Sequence, residues 1–430
     1  MREAVTVAPP EFTRYRPKKM LFASYARLLA EHGKLLGFGF VVAFSSSFGQ
    51  TYFIGIFGPE IQAEFGLSHT VWGGIYLVGT LASAALMPWT GSLIDRFNLP
   101  GYTLLVGLFL IAACVFISLG AGALSLVIAI FLLRQFGQGL TSHISITSMA
   151  RYFDAERGRA IAVATMGFAA GEAVLPFTAV AAIALIGWRW TYGSAAALLG
   201  LVLLPLSLWL LRGHRHRHQA HLTRLAARRD DIALGVHSWS RAEVLRDARF
   251  YLLLPGFLAP SVIGTAMFFH HLNLADAKGW SHTWITGNYV LYAIGVMLTA
   301  LIAGTLIDRL RAVRILPYML LPLALGLAVV SMFDAPWAVL PYMLLIGVNA
   351  GVTHTATSAM WPELYGVEHL GAIKSLAMSL SVLGSALGPV IMGGLMDLGM
   401  SIESVCLLFA GYSIVGGILT YIALRQTLAH

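Results

Sequence analysis

Twelve apolar runs, each about twenty residues or longer, dominate this chain, at 35–57, 71–94, 102–120, 124–150, 159–184, 190–211, 249–274, 283–307, 313–332, 336–359, 370–396 and 402–424. A helix needs roughly 20 apolar residues to cross the hydrocarbon of a bilayer. No run has the period-two alternation of a strand that is wetted on one face. Charge is too scarce for a soluble globule of this length: 11% of the 430 residues are Asp, Glu, Lys or Arg, and 58% are hydrophobic. A water-facing domain carries about 25% charged residues. Lipid is therefore the main solvent, and the expected fold class is all-α integral membrane, with twelve transmembrane helices.

One long polar stretch divides the runs six and six. The expected organisation is an N-terminal segment over 1–34, a six-helix bundle over 35–211, a linker over 212–248, a second bundle over 249–425 and a tail over 426–430. The run after residue 34 is too long for the core of a cleavable signal peptide. All but four of the 28 Lys and Arg fall in the terminal segments, the linker and the loops on that same side. The exceptions are Arg189 and Lys278 in opposite loops, and Arg134 and Lys374 inside runs. Positive loops stay in the cytoplasm, so both termini are expected inside a plasma or inner membrane. This distribution accounts for the net charge of +8 without nucleic acid as a partner.

The two halves repeat at a spacing of 213 residues. Gly66, Ser68, His69 and Thr70 fall on Gly279, Ser281, His282 and Thr283. Gly74 and Tyr76 fall on Gly287 and Tyr289, and Pro176 falls on Pro389. The sequence Gly91-Ser-Leu-Ile-Asp95-Arg96 falls on Gly304-Thr-Leu-Ile-Asp308-Arg309. Apolar composition alone does not place an identical GxLIDR pattern at matching positions. With six runs per half, both halves enter from the same side and form parallel repeats about an axis along the membrane normal. In each copy a glycine permits close helix contact, and an Asp and Arg beyond it can clasp a neighbouring helix end. Gly91, Asp95, Arg96, Gly304, Asp308 and Arg309 are the expected gating residues.

These features resemble the major facilitator superfamily. Its signature between helices 2 and 3 looks like residues 91–96. Arg134-Gln-Phe-Gly137-Gln138-Gly139 resembles a second motif with a membrane-embedded arginine, and Gly384 to Pro389 resembles the family's Gly-Pro helix bends. Within the superfamily the chain looks most like the monocarboxylate and oxalate–formate branch. That likeness rests on Tyr152-Phe153, Arg157-Gly-Arg159-Ala160, Gly167, Gly171 and Pro176, on Gly187-Trp188-Arg189, and on Tyr52 to Phe57 followed by Glu64-Phe-Gly66. The resemblance implies two pseudo-symmetric six-helix bundles and secondary transport by alternating access, with no enzymatic activity. The chain departs from the branch in lacking a lysine near Tyr52 and any charge in the eighth run before Asp308. Lactate and oxalate are therefore not implied as substrates.

An ionisable group inside a span costs about 2.5–3.5 kcal/mol on insertion scales, so it persists where it is paired, wetted or used. Arg134 lies roughly 15 Å into the fourth run at 1.5 Å per residue. Gln138, Thr141 and Ser145 follow on one face at helical spacing. Glu172 lies at similar depth in the fifth run. The pair reads in two ways: a fixed ion pair, or a cavity arginine for an anion with Glu172 as the proton-coupling site. Lys374 sits near the start of the eleventh run, where its stem can reach the headgroups or the mouth of a cavity. The expected substrate-binding set is Arg134, Gln138, Tyr52, Asn288, Tyr289, Asn349 and Lys374, with Glu172 and His270 coupling protons. His214, His216, His218 and His221 read as a basic solvated linker and not as a metal site. Cys114 and Cys406 read as packing residues, and no cofactor is expected.

The expected function is a monomeric transporter that moves a small organic anion coupled to protons, by symport or in exchange for them. A proton-coupled efflux antiporter for amphipathic drugs or metabolites is the rival, favoured by a more aromatic cavity and an acidic site. A non-transporting membrane sensor is the reading from another class.

Overall fold

In a computed structural model, residues 19–153, 156–213, 239–366 and 370–428 are described, together with Gln219. The histidines proposed for the linker, and most of the linker, lie outside the described residues. Among those described there is no strand.

Among the described residues, ten helical segments are long and apolar enough to cross a membrane. They are Tyr25–Gly49 (span 1), His69–Ser92 (span 2), Leu99–Ser118 (span 3), Ala123–Tyr152 (span 4), Gly158–Leu210, Ala248–Phe269 (span 7), Ala312–Met332 (span 9), Pro336–Tyr365 (span 10), Ile373–Asp397 (span 11) and Ile402–Arg425 (span 12). Gly158–Leu210 is 53 residues long, far beyond one crossing. It breaks at Gly187, where φ is 76° and ψ is 163°, into spans 5 and 6. Tyr289–Leu310, 22 residues, is span 8. Among the described residues the fold thus has twelve membrane-length helices, six in each half. Large side chains such as Leu201, Leu325 and Ile418 stand exposed on its spans, as lipid contact requires.

The sequence repeat is also a structural repeat. Gly66 and Gly279 both end short helices in the left-handed conformation, with φ of 61° and 65°. Such a C-cap favours glycine because a Cβ is strained there. Two residues later, Ser68 and Ser281 each cap the next helix, accepting from the amides of Val71 and Trp284.

At the end of the bundle remote from the termini, each half is tied by an ion pair between the segment after its first helix and the start of its sixth. Glu64 receives Arg189 and the indole N–H of Trp188 at 2.6 Å. In the second half, the buried Lys278 reaches Asp334 and Glu403. The two ties sit within a residue of the repeat register, with their charges exchanged.

Hydrogen bonding from Arg189 is the largest influence on Glu64 and holds its carboxyl below the usual carboxylate range. A depressed carboxyl pKa contributes stability above its unfolded value, which is lost as pH falls through the folded one. Thermal stability in detergent should therefore fall on acidification below about pH 4.5 more in the native protein than in Glu64→Gln, a difference that is modest because the pair is solvent-exposed.

The halves meet most closely at that same remote end. Span 2 packs along span 11, span 1 approaches span 7, and span 5 approaches span 8. Trp72 stacks on Phe269 with centroids 5.3 Å apart, and Tyr76 lies 4.7 Å from the same ring.

Candidate substrate site between the two halves

Span 1 is not a continuous helix. It passes into a 3-10 turn at Ser46–Gly49, extends at Gln50 and resumes as Thr51–Ile56. Opposite the break, span 4 widens into a π-helix over Leu133–Thr141. Gly49 and Gly137 bring the two irregular segments together. A Cβ on Gly49 would lie 2.1 Å from the Leu133 carbonyl oxygen, and one on Gly137 would lie 2.7 Å from the Gly49 Cα. Irregular backbone at membrane depth is tolerated where protein re-satisfies its polar groups, and π-bulges frequently accompany functional sites.

Arg134 projects from this π-helix. Its Nη1 donates to the Gly49 carbonyl at 3.5 Å and to the Thr51 hydroxyl at 3.3 Å. Its guanidinium carbon lies 5.2 Å from the centroid of the Tyr76 ring, and the Tyr76 hydroxyl is 2.5 Å from that of Thr51. Only 4% of the residue is exposed, and its Nε has no hydrogen-bond partner.

The expected pairing of Arg134 with Glu172 is not found. Similar depth was the ground for it, but the break in span 1 supplies carbonyl and hydroxyl acceptors that hold the guanidinium against span 1. The expected stripe is also broken, because a π-helix shifts the register after Arg134. Thr141 bonds the carbonyl of Phe136, five residues back, and Ser145 bonds the Gly39 carbonyl of span 1 at 2.7 Å. Gln138 is half-buried.

Glu172 stands elsewhere, on the face of span 5 that meets the second half. It is half-buried, and its charge reaches Tyr52 of span 1 and Tyr289 and Tyr292 of span 8. The Tyr52 hydroxyl is buried without a partner. Tyr289 is tied back by a 2.7 Å bond between its hydroxyl and His271 Nδ1, and Phe268 packs edge-on against both Tyr289 and Tyr292. At this level of the interface the ionisable group is thus an acid with three phenols within electrostatic reach. Tyr292 was not among the expected site residues. The signal for Tyr292 was its spacing of three from Tyr289, which sets both on one helix face.

The other expected residues divide. Asn349 is buried, and its amide donates to the Met319 carbonyl of span 9 at 2.8 Å, so it packs within the second half and does not face the interface. Asn288 likewise spends its amide on the Trp284 carbonyl. His270 bonds the Pro389 carbonyl and Asn273 at the remote closure, away from Glu172. Lys374 is half-buried near the start of span 11. Gly91 is buried beside Met87 and His143, and Arg96 is exposed. The side chains of Asp95, Gly304, Asp308 and Arg309 lie outside the described residues, and no clasp between the GxLIDR copies is assigned. A separate small void within the first half is lined by Ser45, Thr103, Thr141 and Ser207. Each of these hydroxyls bonds its own helix backbone, which leaves the void unsuited to a polar solute.

The family model for the Major Facilitator Superfamily matches residues 39–355 and 272–429. The chain belongs to the major facilitator superfamily. Solved structures agree on the fold of this transporter. A nucleoside transporter, NupG, in a mutant form, superposes with a TM-score of 0.71 at 12% identity, covering 90% of this chain and 99% of that one. A bacterial homologue of the human lysosomal transporter Spinster, inward-facing and occupied, gives 0.66 at 14% identity, covering 91% and 96%. The same homologue, inward-facing and unoccupied, gives 0.65 at 14% identity, covering 93% and 98%. No curated protein sequence matches. The monocarboxylate branch suggested by the sequence receives no support beyond the superfamily.

Proposed function

We propose that this major facilitator transporter works by alternating access and exchanges protons for a neutral or cationic amphipathic solute, with Glu172 as the proton-carrying group. The observation that carries the reading is the position of Glu172, half-buried where the halves meet, with Tyr52, Tyr289 and Tyr292 within reach of its charge. A carboxylate with aromatic side chains nearby suits a cation, which gains from both charge and ring quadrupole. The phenol hydroxyls add donors and acceptors for a neutral polar edge. A carboxyl that binds either a proton or the solute couples the two by competition, which is antiport.

The proton-coupled organic-anion transport expected from the sequence is the second reading. One observation favours it: Arg134 is a buried cation with an unbonded Nε and no carboxylate partner among the described residues. Its position against the break in span 1 and its 4% exposure argue for a fixed role in holding that break.

Thermal stabilisation of the purified protein separates the readings, because a ligand stabilises the state it binds. Tetraphenylphosphonium and ethidium should raise the melting temperature in a manner that weakens as pH falls, and lactate and oxalate should not. Stabilisation by carboxylates, lost in Arg134→Gln and kept in Glu172→Gln, would restore the anion reading.

A further inference from the structure

The closure at the end remote from the termini is held by an unusual contact. The carboxylate of Asp397, at the end of span 11, accepts from the first two amides of span 2 in the opposite half: His69 N at 3.2 Å and Thr70 N at 2.7 Å. Ser68 takes the third amide, that of Val71, at 3.3 Å. The first turn of a helix has amides with no internal acceptor, and its positive dipole end favours an anion. Here the cap is supplied partly by span 2's own serine and partly by the other half of the molecule.

Beside it, Asn273, just past span 7, holds His69 Nδ1 at 3.0 Å and His270 Nδ1 at 3.2 Å. The far nitrogen of His270 reaches the Pro389 carbonyl at 3.0 Å, and the His69 and His270 rings meet edge to face at 5.9 Å. Hydrogen bonds that cross between the halves thus include the two that Asp397 accepts and the one from Asn273 to His69.

The contact is one-sided. The repeat mate of the start of span 2 is the short helix His282–Gly287 that leads into span 8, and it carries the same serine cap at Ser281. The repeat mate of Asp397 is Ala184, which has no acceptor to offer. There span 5 meets the start of span 8 with Phe177 close to Gly287, an apolar contact.

We propose that Asp397, seated on the amide end of span 2 and flanked by the Asn273–His69 bond, is the latch that keeps this end of the transporter shut, and that the span 5–span 8 side closes by apolar packing alone. Opening this end strips two amides of their acceptor and separates the carboxylate from the dipole. The latch therefore biases the equilibrium towards the form open at the terminal end, whatever the solute. Because it touches neither Glu172 nor the tyrosines, it acts on the populations of the two forms and not on affinity within either.

Pulsed electron paramagnetic resonance tests this on the full chain in nanodiscs. Spin labels at Ala121 and Ser401, exposed loop residues of opposite halves at the remote end, report its opening. In Asp397→Asn, which loses the charge and one acceptor, the longer-distance population should rise about fivefold, the scale expected for loss of one helix-capping carboxylate. Asn273→Ala should act in the same direction and more weakly. A folded Asp397→Asn protein with an unchanged distance distribution would overturn the latch. If that variant does not fold, an unchanged distribution in Asn273→Ala overturns it equally.

Discussion

Gly49→Val is expected to abolish recovery of the folded transporter. The Gly49 Cβ position is 2.1 Å from the Leu133 carbonyl oxygen and 2.7 Å from the Gln138 amide nitrogen. Both are backbone atoms of the π-helix, so no side chain can rotate away. The break in span 1 and the widened turn of span 4 must part, and Arg134 then loses the Gly49 carbonyl and the Thr51 hydroxyl together. Overpacking typically costs about 1–3 kcal/mol where side chains can adjust, and a clash with backbone exceeds that range. Gly74→Ala is the matched control, since its Cβ position meets nothing within 4 Å. Size-exclusion profiles of fluorescently tagged variants should show a monodisperse peak for Gly74→Ala and loss of that peak for Gly49→Val.

Glu172→Gln is expected to fold, to bind the solute and to uncouple it from protons. The glutamine keeps the shape and hydrogen-bonding capacity beside Tyr52, Tyr289 and Tyr292, but it neither releases a proton nor carries a charge. Binding of an organic cation to the native protein should weaken on acidification, because protons and cation compete for one carboxylate. In Glu172→Gln the affinity should be lower and flat with pH. Gradient-driven accumulation should fall to the level of empty vesicles, while exchange of solute for solute persists. Binding isotherms across pH check the first part and tracer exchange the second.

The fold was largely legible because the features that specify it are local or periodic. Apolar runs of membrane length mark the spans, and the 213-residue repeat anticipated the paired caps at Gly66 with Ser68 and at Gly279 with Ser281. The site was less legible, for a physical reason. Placing Arg134 by depth assumed ideal helices. Neither the 3-10 turn at Ser46–Gly49 nor the π-helix at Leu133–Thr141 has a periodic signature, and together they turn Arg134 towards span 1 and away from Glu172. The glycines at 49, 137 and 139 were the available hint. Asn349 misled in a similar way, because a polar residue on a membrane helix can answer a neighbour's free carbonyl, here that of Met319, as readily as a solute. The latch at Asp397 was invisible to a search for repeats because its mate is Ala184.

Proton movement itself tests the central claim most directly. Proteoliposomes containing a trapped pH indicator are given an inward gradient of tetraphenylphosphonium at zero membrane potential. The account predicts alkalinisation of the lumen as protons leave in exchange, present with the native protein and absent with Glu172→Gln. Proton movement that persists in Glu172→Gln, or that only carboxylates elicit, would contradict it.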